Sequence, residues 1–354
     1  MDSLTQAVLG AGIQGALLGR QQGRKAYLYG AILATLPDLD VLVRYADPVS
    51  SMTYHRGFSH SLLTLTLFSI VLAWFLRRWR PSPRYSGWRL WLAIWLVLIT
   101  HPLLDAFTSY GTQLWWPWTP MPASWSSIFI IDPLFTVPLL VATLCGLLFG
   151  ARPWTSRLSA WALLLSSAYL LFTLGAKMVV ESRVEVALHE EGVTGTAMFS
   201  SPTPLNSLLW RVVVKTPDDR YMELLTGLFD GKVSERGNAA LGADEGQAIL
   251  AGSFWHDRLA WFSGGWLRYD RIGDALVVTD LRMGTPGNYS FRFKMAEYDP
   301  VEAQWSVIVP QRWSGLNLDA GRVRHLLARI WTPSQQMPVQ DWLDGMEPSG
   351  ILQK

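Results

Sequence analysis

Cysteine and charge are the two things that this 354-residue sequence has least of. The single cysteine, Cys145, excludes a disulfide framework and a site built from several thiolates. Charged residues make up 16% of the chain, against about 25% in a typical soluble domain, and the net charge of +2 gives no sign of a nucleic-acid-binding surface. The start also lacks the basic group that opens a signal peptide, since Asp2 stands there. We therefore expect no cleavable signal and membrane insertion through retained segments.

Apolar residues, by contrast, make up 50% of the chain, the mean hydropathy is +0.18, and there are 19 tryptophans. Six apolar stretches come near the ~20 residues that a spanning helix needs. They are Leu4–Gly19, Ala26–Val43, Ser61–Leu76, Leu90–Leu104, Ile128–Phe149 and Leu158–Met178. The first is the weakest, and its small residues also suit a helix packed inside a bundle. Residues 1–178 are thus predicted to form a membrane α-helical bundle of five to six spans.

Basic residues fall in every second connection between these stretches. They are Arg20, Arg24 and Lys25, then Arg77, Arg78, Arg80, Arg84 and Arg89, then Arg152 and Arg157. The alternate connections, around residues 45–60 and 106–127, carry only Arg56. Because short basic loops stay in the cytoplasm, both chain ends are predicted to lie outside.

The composition changes near Val179, where charged residues become frequent. Four alternating runs predict β-strands and one later run predicts a helix. The strands are Arg211–Lys215, Ala275–Thr279, Tyr289–Lys294 and Trp305–Pro310, and the helix is Gly321–Ile330. Residues 179–354 are thus predicted to form a soluble, mostly-β or α+β domain on the extracytoplasmic side.

Histidines and aspartates of the membrane half concentrate at the predicted outer ends of the spans. The motifs are Leu36-Pro37-Asp38-Leu39-Asp40, His55-Arg56-Gly57-Phe58-Ser59-His60-Ser61, His101-Pro102-Leu103-Leu104-Asp105 and Asp132-Pro133. The orientation rests on arginine and lysine alone, yet it brings these motifs to one side at a similar depth. Ionisable groups are costly inside a membrane and are usually functional there. The motifs are therefore predicted to form one site.

Two of the motifs have spacing that suits a metal ion. His101 and Asp105 are four residues apart, so on a helix they share a face and can bind one ion. Pro102 suits the first turn of a helical segment, which would leave His101 at its start. Asp38 and Asp40 lie near a helix C-terminus, where the helix dipole disfavours carboxylates. Two acids at that position require a nearby cation.

The histidine-rich motif combines a turn with a predicted helix start. Gly57 allows a sharp turn, and Ser59 is predicted to cap the next helix, with His60 on its first turn and His55 in the loop before it. Three imidazoles with three or four carboxylates suit one or two ions of zinc or manganese. The alternative is that each histidine is an ordinary hydrogen-bonded core residue, and the convergence of the motifs favours the metal.

Some neighbouring residues have two interpretations. Arg56 can bind a substrate phosphate or carboxylate, or it can pair with Asp47 or a lipid head group. Asp132 is either a further ligand or only the start of a helix. Asp2 and Gln6 begin the first stretch on the same outer side, where either can join the site.

The same motifs, with Met1-Asp2-Ser3-Leu4-Thr5-Gln6 and Ser109-Tyr110-Gly111-Thr112, resemble the YdjM-like inner-membrane proteins of bacteria over roughly the first 180 residues. The His-Arg-Gly-x-Ser-His motif with the aspartate pair is the most specific part. That family is described as membrane-bound, metal-dependent hydrolases, and its members often have histidine where this chain has Gln6. The resemblance therefore implies a location in the inner membrane and a metal-dependent hydrolase. The metal ligands that it implies are Asp38, Asp40, His55, His60, His101 and Asp105.

Three functions are compatible with these features. The first is hydrolysis of a lipid-linked phosphoester or ester at the outer membrane surface, with Asp40 or Asp105 as general base and Arg56 stabilising developing charge. The second is ion-coupled transport, because intramembrane aspartate and histidine also build ion paths. The third is a membrane scaffold with a structural metal and no catalysis. Membrane lipids are the expected partners, and nucleic acid is not.

Overall fold

The structure is a computed structural model that describes residues 1–150, 152–233, 235–313 and 320–346. The chain forms two compact units. The first unit contains Met1–Arg44 and Tyr54–Leu174, and the second contains Tyr45–Thr53 and Gly175–Lys354. The second unit therefore includes one short segment from within the predicted membrane half.

Helices dominate residues 1–190. In chain order they are α1 (Ser3–Gln22), α2 (Arg24–Thr35), a first 3₁₀ helix (Pro37–Leu42), α3 (Pro48–Tyr54), a second 3₁₀ helix (Phe58–His60), α4 (Leu62–Trp79), α5 (Gly87–Ala106), α6 (Pro133–Phe149) and α7 (Pro153–Glu190). Asp2, Ser61 and Asp132 accept backbone N–H groups in the first turns of α1, α4 and α6. These side chains satisfy amide groups that a helix leaves without partners at its start.

Three helices of the described chain, α4, α5 and α7, are long and apolar enough to cross a membrane. The apolar helix α6 has 17 residues. The 12-residue helix α2 is about 18 Å long, well short of the ~30 Å hydrocarbon core of a bilayer. The prediction of apolar membrane helices followed by a β-sheet domain is confirmed, and the number of spans stays a prediction.

Helices α1 and α2 pack so closely that a side chain would not fit between them. A Cβ on Gly30 would overlap the carbonyl oxygen of Gly10. The Tyr27 ring, which is 1% exposed, occupies space next to Gly15 and Gly146 that a larger residue would fill. Small residues let membrane helices approach in this way. The glycines that make α1 a weak apolar stretch therefore allow it to pack against α2, α5 and α6.

Helix α7 is longer than the sixth apolar stretch indicates. It continues to Glu190, so the change of composition near Val179 falls inside a continuous helix. Polar residues sustain the helix by pairing along it, since Lys177 Nζ lies 3.1 Å from Glu181 Oε1 one turn later. The last part of α7 buries one apolar face against the first β-sheet of the second unit through Val180, Val184 and Leu188.

Two four-stranded antiparallel sheets form most of the second unit. In spatial order, the first contains β1 (Ala197–Pro202), β2 (Leu209–Thr216), β3 (Arg220–Gly227) and β4 (Glu235–Ala240). The second contains β5 (Leu267–Ile272), β6 (Ala275–Asp280), β9 (Arg292–Asp299) and β10 (Gln304–Arg312), with β6 between β5 and β9. A short hairpin pairs β7 (Gly284–Thr285) with β8 (Asn288–Tyr289). The helices are α8 (Ala243–Ile249), α9 (Phe254–Ser263), α10 (Ala320–Trp331) and α11 (Val339–Asp344).

The predicted strands and the late helix match this arrangement closely. Every predicted run lies within or overlaps an observed strand, and α10 covers the predicted helix. Strand β6 is buried along its whole length and β2 along most of it, because each has a hydrogen-bonded neighbour on both sides. The β-sheet character of the C-terminal half is therefore confirmed.

Candidate metal centre

Four of the six predicted ligands meet at one point of the first unit. Asp38 lies in the 3₁₀ helix after α2, His60 in the 3₁₀ helix before α4, and His101 and Asp105 in the last turns of α5. One ligand atom from each residue lies within 4.8 Å of the others. The two histidines and Asp105 are buried, while the Asp38 side chain is 24% exposed. Solvent can therefore reach the cluster at Asp38.

The spacing of these atoms fits a tetrahedral ion. His101 Nε2 lies 3.2 Å from His60 Nε2, 3.3 Å from Asp38 Oδ1 and 3.6 Å from Asp105 Oδ2. His60 Nε2 lies 3.4 Å from Asp38 Oδ1 and 3.3 Å from Asp105 Oδ2. With zinc–ligand bonds of about 2.0–2.2 Å, tetrahedral geometry separates neighbouring ligand atoms by about 3.3–3.6 Å. These five separations lie close to that range, and all four ligand atoms lie within 4.8 Å of one another.

Hydrogen bonds on the far side of each imidazole set which nitrogen carries the proton. His101 Nδ1 lies 2.7 Å from the carbonyl oxygen of Ala34, which can only accept, so Nδ1 is the donor. His60 Nδ1 lies 2.9 Å from Ser59 Oγ, and that hydroxyl donates to Asp40 Oδ2 at 2.6 Å. His60 Nδ1 therefore also donates. Both Nε2 atoms are left with lone pairs that face the cluster, the arrangement expected of metal-binding histidines.

Neutral imidazoles leave the cluster short of hydrogen-bond donors. Asp105 Oδ2 is buried and accepts no hydrogen bond from the described residues, although Arg56 Nε lies 3.2 Å away in an ion pair. The same oxygen lies close to the lone pairs of His60 and His101. Such acceptors repel one another unless a cation lies between them. A divalent ion fits the four side chains, and a set of two imidazoles with two carboxylates suits zinc or manganese.

Asp40 and His55 form a pair beside the cluster. His55 Nδ1 lies 2.8 Å from Asp40 Oδ1, while Asp40 Oδ2 accepts from the Arg56 backbone amide at 3.0 Å and from Ser59. The ring centroids of His55 and His60 are 5.9 Å apart, and the His55 side chain is 26% exposed. Asp40 therefore reaches the cluster through the Ser59 hydroxyl. Its predicted role as a direct ligand, and that of His55, stay predictions.

Arg56 is buried against the cluster. Its Nε lies 3.2 Å from Asp105 Oδ2, and its Nη1 donates to Thr108 Oγ1 at 3.4 Å. Asp47 accepts hydrogen bonds from Ser50 at the start of α3, and its suggested pairing with Arg56 stays a prediction. The sharp turn also falls at Arg56, whose φ is +61°, and not at Gly57, whose φ is −92°. A non-glycine residue in the left-handed region is uncommon and needs such surrounding contacts.

The expected position of Pro102 is wrong. It lies inside α5, four residues before the end of that helix, so His101 belongs to a continuous helix and does not begin one. Proline removes one backbone hydrogen bond from a helix interior. The apolar run from Leu90 onward nevertheless keeps the segment helical. The predicted shared face is unaffected, since His101 and Asp105 still stand one turn apart.

The expected cap of α4 is also wrong. Ser61, and not Ser59, precedes α4 and accepts the Thr64 amide. Ser59 has another role, because its hydroxyl joins Asp40 to His60. Both serines suit a helix start in sequence, and the short 3₁₀ helix Phe58–His60, which contains Ser59, leaves Ser61 as the cap of α4.

Two groups near the beginning of the chain reach the cluster. Gln6 is 1% exposed, and its Nε2 donates to Asp105 Oδ1 at 3.0 Å and to the His101 carbonyl oxygen at 3.2 Å. The Met1 amino group pairs with the same Asp105 oxygen. The position of Gln6 on the predicted outer side indicated that this residue could join the site. Nothing in the sequence indicated the Met1 contact.

Asp2 and Asp132 act as helix caps. Asp2 accepts the amides of Leu4 and Thr5 at the start of α1. Asp132 caps α6 and accepts the Tyr169 hydroxyl at 2.8 Å. The interpretation of Asp132 as a helix start is therefore the one that the structure supports.

The family profile of the YdjM inner membrane proteins matches residues 1–180. The chain belongs to this family. Among its relatives, the uncharacterized protein YfhP of Bacillus subtilis is 26% identical over 229 residues, 63% of this chain and 67% of that protein. The inner membrane protein YbcI of Escherichia coli is 37% identical over 90 residues, 25% of this chain and half of that protein. No solved structure matches the chain. The predicted resemblance is confirmed, and the family is one of inner membrane proteins.

Proposed function

We propose that this protein is a multi-pass hydrolase of the inner membrane that uses one divalent ion, zinc or manganese. Its substrate is a lipid-linked phosphoester or ester at the outer surface. The membrane half crosses the bilayer five or six times, with the C-terminal domain outside, as the basic connections indicate. The observation that carries the proposal is the four-residue cluster with the Asp40–His55 pair beside it. The ring centroids of His55 and His60 are 5.9 Å apart.

Asp38, His60, His101 and Asp105 would hold the ion. A divalent ion bound there would supply Lewis acidity, which lowers the pKa of water and polarises a substrate oxygen. With Asp105 among the ligands, the free base is the Asp40–His55 pair. The Asp40 carboxylate holds His55 Nδ1–H, so His55 Nε2 is left to accept a proton from water. Orientation of an imidazole by a carboxylate is the arrangement that hydrolases with a histidine base use.

Arg56 supplies a fixed positive charge for the substrate. Its guanidinium lies 4.8 Å from the Tyr110 ring centroid and is held by Asp105 and Thr108. A guanidinium fixed in this way stabilises charge that develops on a phosphoryl or acyl oxygen without further reorganisation. Its burial also makes the charge more effective than in water.

Apolar side chains around the aspartate pair support a lipid-linked substrate. Leu39 lies between the two aspartates and is 52% exposed, and Phe58, two residues before His60, is 59% exposed. The residues directly after Asp40 are exposed as well; they are Val41, Leu42 and Val43. Exposed apolar clusters of this kind occur where a protein contacts lipid. A substrate with a lipid tail would reach the ligands through such a surface.

One observation favours a second function, a scaffold with a structural metal. Four protein ligands at tetrahedral spacing can saturate zinc, whereas a catalytic zinc keeps one position for water or substrate. Against this interpretation, structural zinc sites are built mainly from thiolates, and this chain has one cysteine. The partial exposure of Asp38 also gives solvent a path to the cluster.

The test combines metal content with hydrolysis, using detergent-purified full-length protein. Wild type should hold about one equivalent of zinc or manganese and hydrolyse a member of a panel of phospholipid and polyprenyl phosphate substrates. His60→Ala/His101→Ala should lose both properties. His189→Ala/His325→Ala, which removes two exposed histidines elsewhere, should lose neither. His55→Gln should keep the metal and lower hydrolysis by about 100-fold or more, the usual effect of losing a general base.

The outcomes separate the alternatives. Metal in both wild type and His55→Gln without hydrolysis of any substrate would favour the structural metal. A wild-type protein that is folded but neither holds nor takes up metal would contradict both proposals. Cation flux in sealed vesicles would then be measured, because the same side chains can form an ion path.

A further inference from the structure

The first unit has a cavity of about 530 Å³ that is separate from the metal cluster. Residues of α1, α2, α4 and α5 line it, together with residues of the connections after α2 and α4. The aliphatic residues of the lining are Ile32, Leu33, Leu36, Leu72, Leu76, Leu90 and Ile94. Ile32 and its neighbour Tyr29 are about half exposed, so the cavity is open to the surface beside α2. Its volume lies within the ~300–1,000 Å³ of ordinary ligand sites.

One end of this cavity is polar. Gln14, Gln22, Arg80 and Tyr85 contribute to its lining there. Gln14 is 3% exposed, and its Nε2 donates to Gln22 Oε1 at 3.2 Å. Its own Oε1 is buried, and no described residue donates to it. A buried amide oxygen is rarely left without a donor, so this atom indicates a hydrogen-bond donor on a bound molecule.

We propose that this cavity binds an anionic glycerophospholipid with a hydroxyl-bearing head group, such as phosphatidylglycerol. The phosphate pairs with Arg80, which neighbours four further arginines of the same basic connection. A head-group hydroxyl donates to Gln14 Oε1, and one acyl chain lies along the leucine and isoleucine lining. The polar end and apolar walls complement the two parts of such a lipid.

This site is independent of the proposed hydrolase. None of its lining residues belongs to the metal cluster or to the Asp40–His55 pair. Failure of the metal proposal would leave lipid retention unchanged, and the reverse also holds. Arg80 follows the C-terminal end of α4, whereas the candidate metal ligand His60 precedes the N-terminal end of the same helix.

The experiment measures lipid retained by full-length protein in nanodiscs of equal phosphatidylglycerol and phosphatidylcholine, after exchange into detergent. Wild type should retain about one phosphatidylglycerol per chain. Arg80→Gln should lower retention about tenfold, as expected from losing one charged hydrogen bond. Arg78→Gln removes a charge outside the cavity lining and should change nothing. Leu72→Trp, which fills the half-buried wall, should abolish retention, and Gln14→Leu should lower it.

Three results would overturn the proposal. Equal retention of the two lipids would show that the cavity does not recognise the head group. Equal losses in the Arg78 and Arg80 variants would show general attraction to the basic connection. Displacement of the retained lipid by glycerol phosphate alone would show a site for free phosphate. Circular dichroism and gel filtration confirm that each variant is folded before its retention is compared.

Discussion

Two buried clusters of charged groups, one in each unit, have opposite balances of donors and acceptors. In the C-terminal unit, Arg211 and Glu223 are fully buried and joined by hydrogen bonds of 2.5 and 3.1 Å. Burial alone would lower the pKa of Arg211, yet the Glu223 carboxylate raises it above its ordinary value. In the membrane unit, by contrast, two imidazole lone pairs converge on two carboxylates. The first cluster is balanced by its own residues, whereas the second has lone pairs that could hold a metal ion.

The same balance recurs elsewhere in the C-terminal unit. Arg282 lies 2.7 Å from Asp280, and Arg329 lies 2.6 Å from Asp230. Arginine presents planar donors that match a carboxylate, so such pairs complete each other. Burial of charge therefore does not by itself indicate function. What separates the Arg211–Glu223 pair from the candidate metal centre is the convergence of two imidazoles on two carboxylates.

The largest effect is expected from removing one partner of the buried Arg211–Glu223 pair in the C-terminal unit. Glu223→Leu leaves Arg211 buried without its carboxylate and should lower the free energy of unfolding by about 3–5 kcal/mol. The measurement is hydrogen exchange of β2 and β3 in the full-length protein.

The control replaces both partners. Arg211→Met/Glu223→Leu removes the pair together, so it should be close to neutral or far milder than the single change. A double variant as unstable as Glu223→Leu would show that the ion pair itself, and not the unpaired charge, determines stability.

A smaller effect is expected at the metal cluster from Ser59→Ala. This change removes the hydroxyl that holds His60 Nδ1–H and connects it to Asp40. Loss of such an outer partner lowers metal affinity by about 10–100-fold. Competition with a chelator measures the affinity. Ser59→Thr keeps a hydroxyl and should restore most of the affinity, and an unchanged Ser59→Ala affinity would contradict the proposed hydrogen-bond chain.

The smallest effect concerns pH in the C-terminal unit. Burial lowers the pKa of His256 below its ordinary 6.5, and the neutral ring lies 2.8 Å from the Tyr269 hydroxyl. Protonation therefore favours the unfolded state. The stability that the neutral His256 ring contributes is fully present above pH 6.5. It is lost as the pH falls through the lowered pKa of the folded state. Hydrogen exchange of α9 and β5 should be faster at acidic pH, because the buried ring must then carry a charge. His256→Gln should make this region insensitive to that change in pH.

The sequence predicted which residues gather at the candidate site better than it predicted which of them lie within reach of one ion. Arginine positions and apolar runs were enough to bring Asp38, His60, His101 and Asp105 to one end of the bundle. They did not separate these four from Asp40 and His55, because that distinction depends on a serine hydroxyl and on two 3₁₀ helices with no clear sequence pattern. The length of α7 was missed for a related reason. A change of composition marks a change of surroundings, and it does not end a helix.

The contact between α1 and α2 has a consequence for the candidate metal centre. Helix α2 has 12 residues and is about 18 Å long. The adjoining helix α1 packs against it with Gly10 touching Gly30. Asp38 lies three residues after the end of α2, so its position relative to α1 and α5 follows from this backbone contact. A larger residue at either glycine would therefore move a candidate metal ligand that lies far from it in sequence.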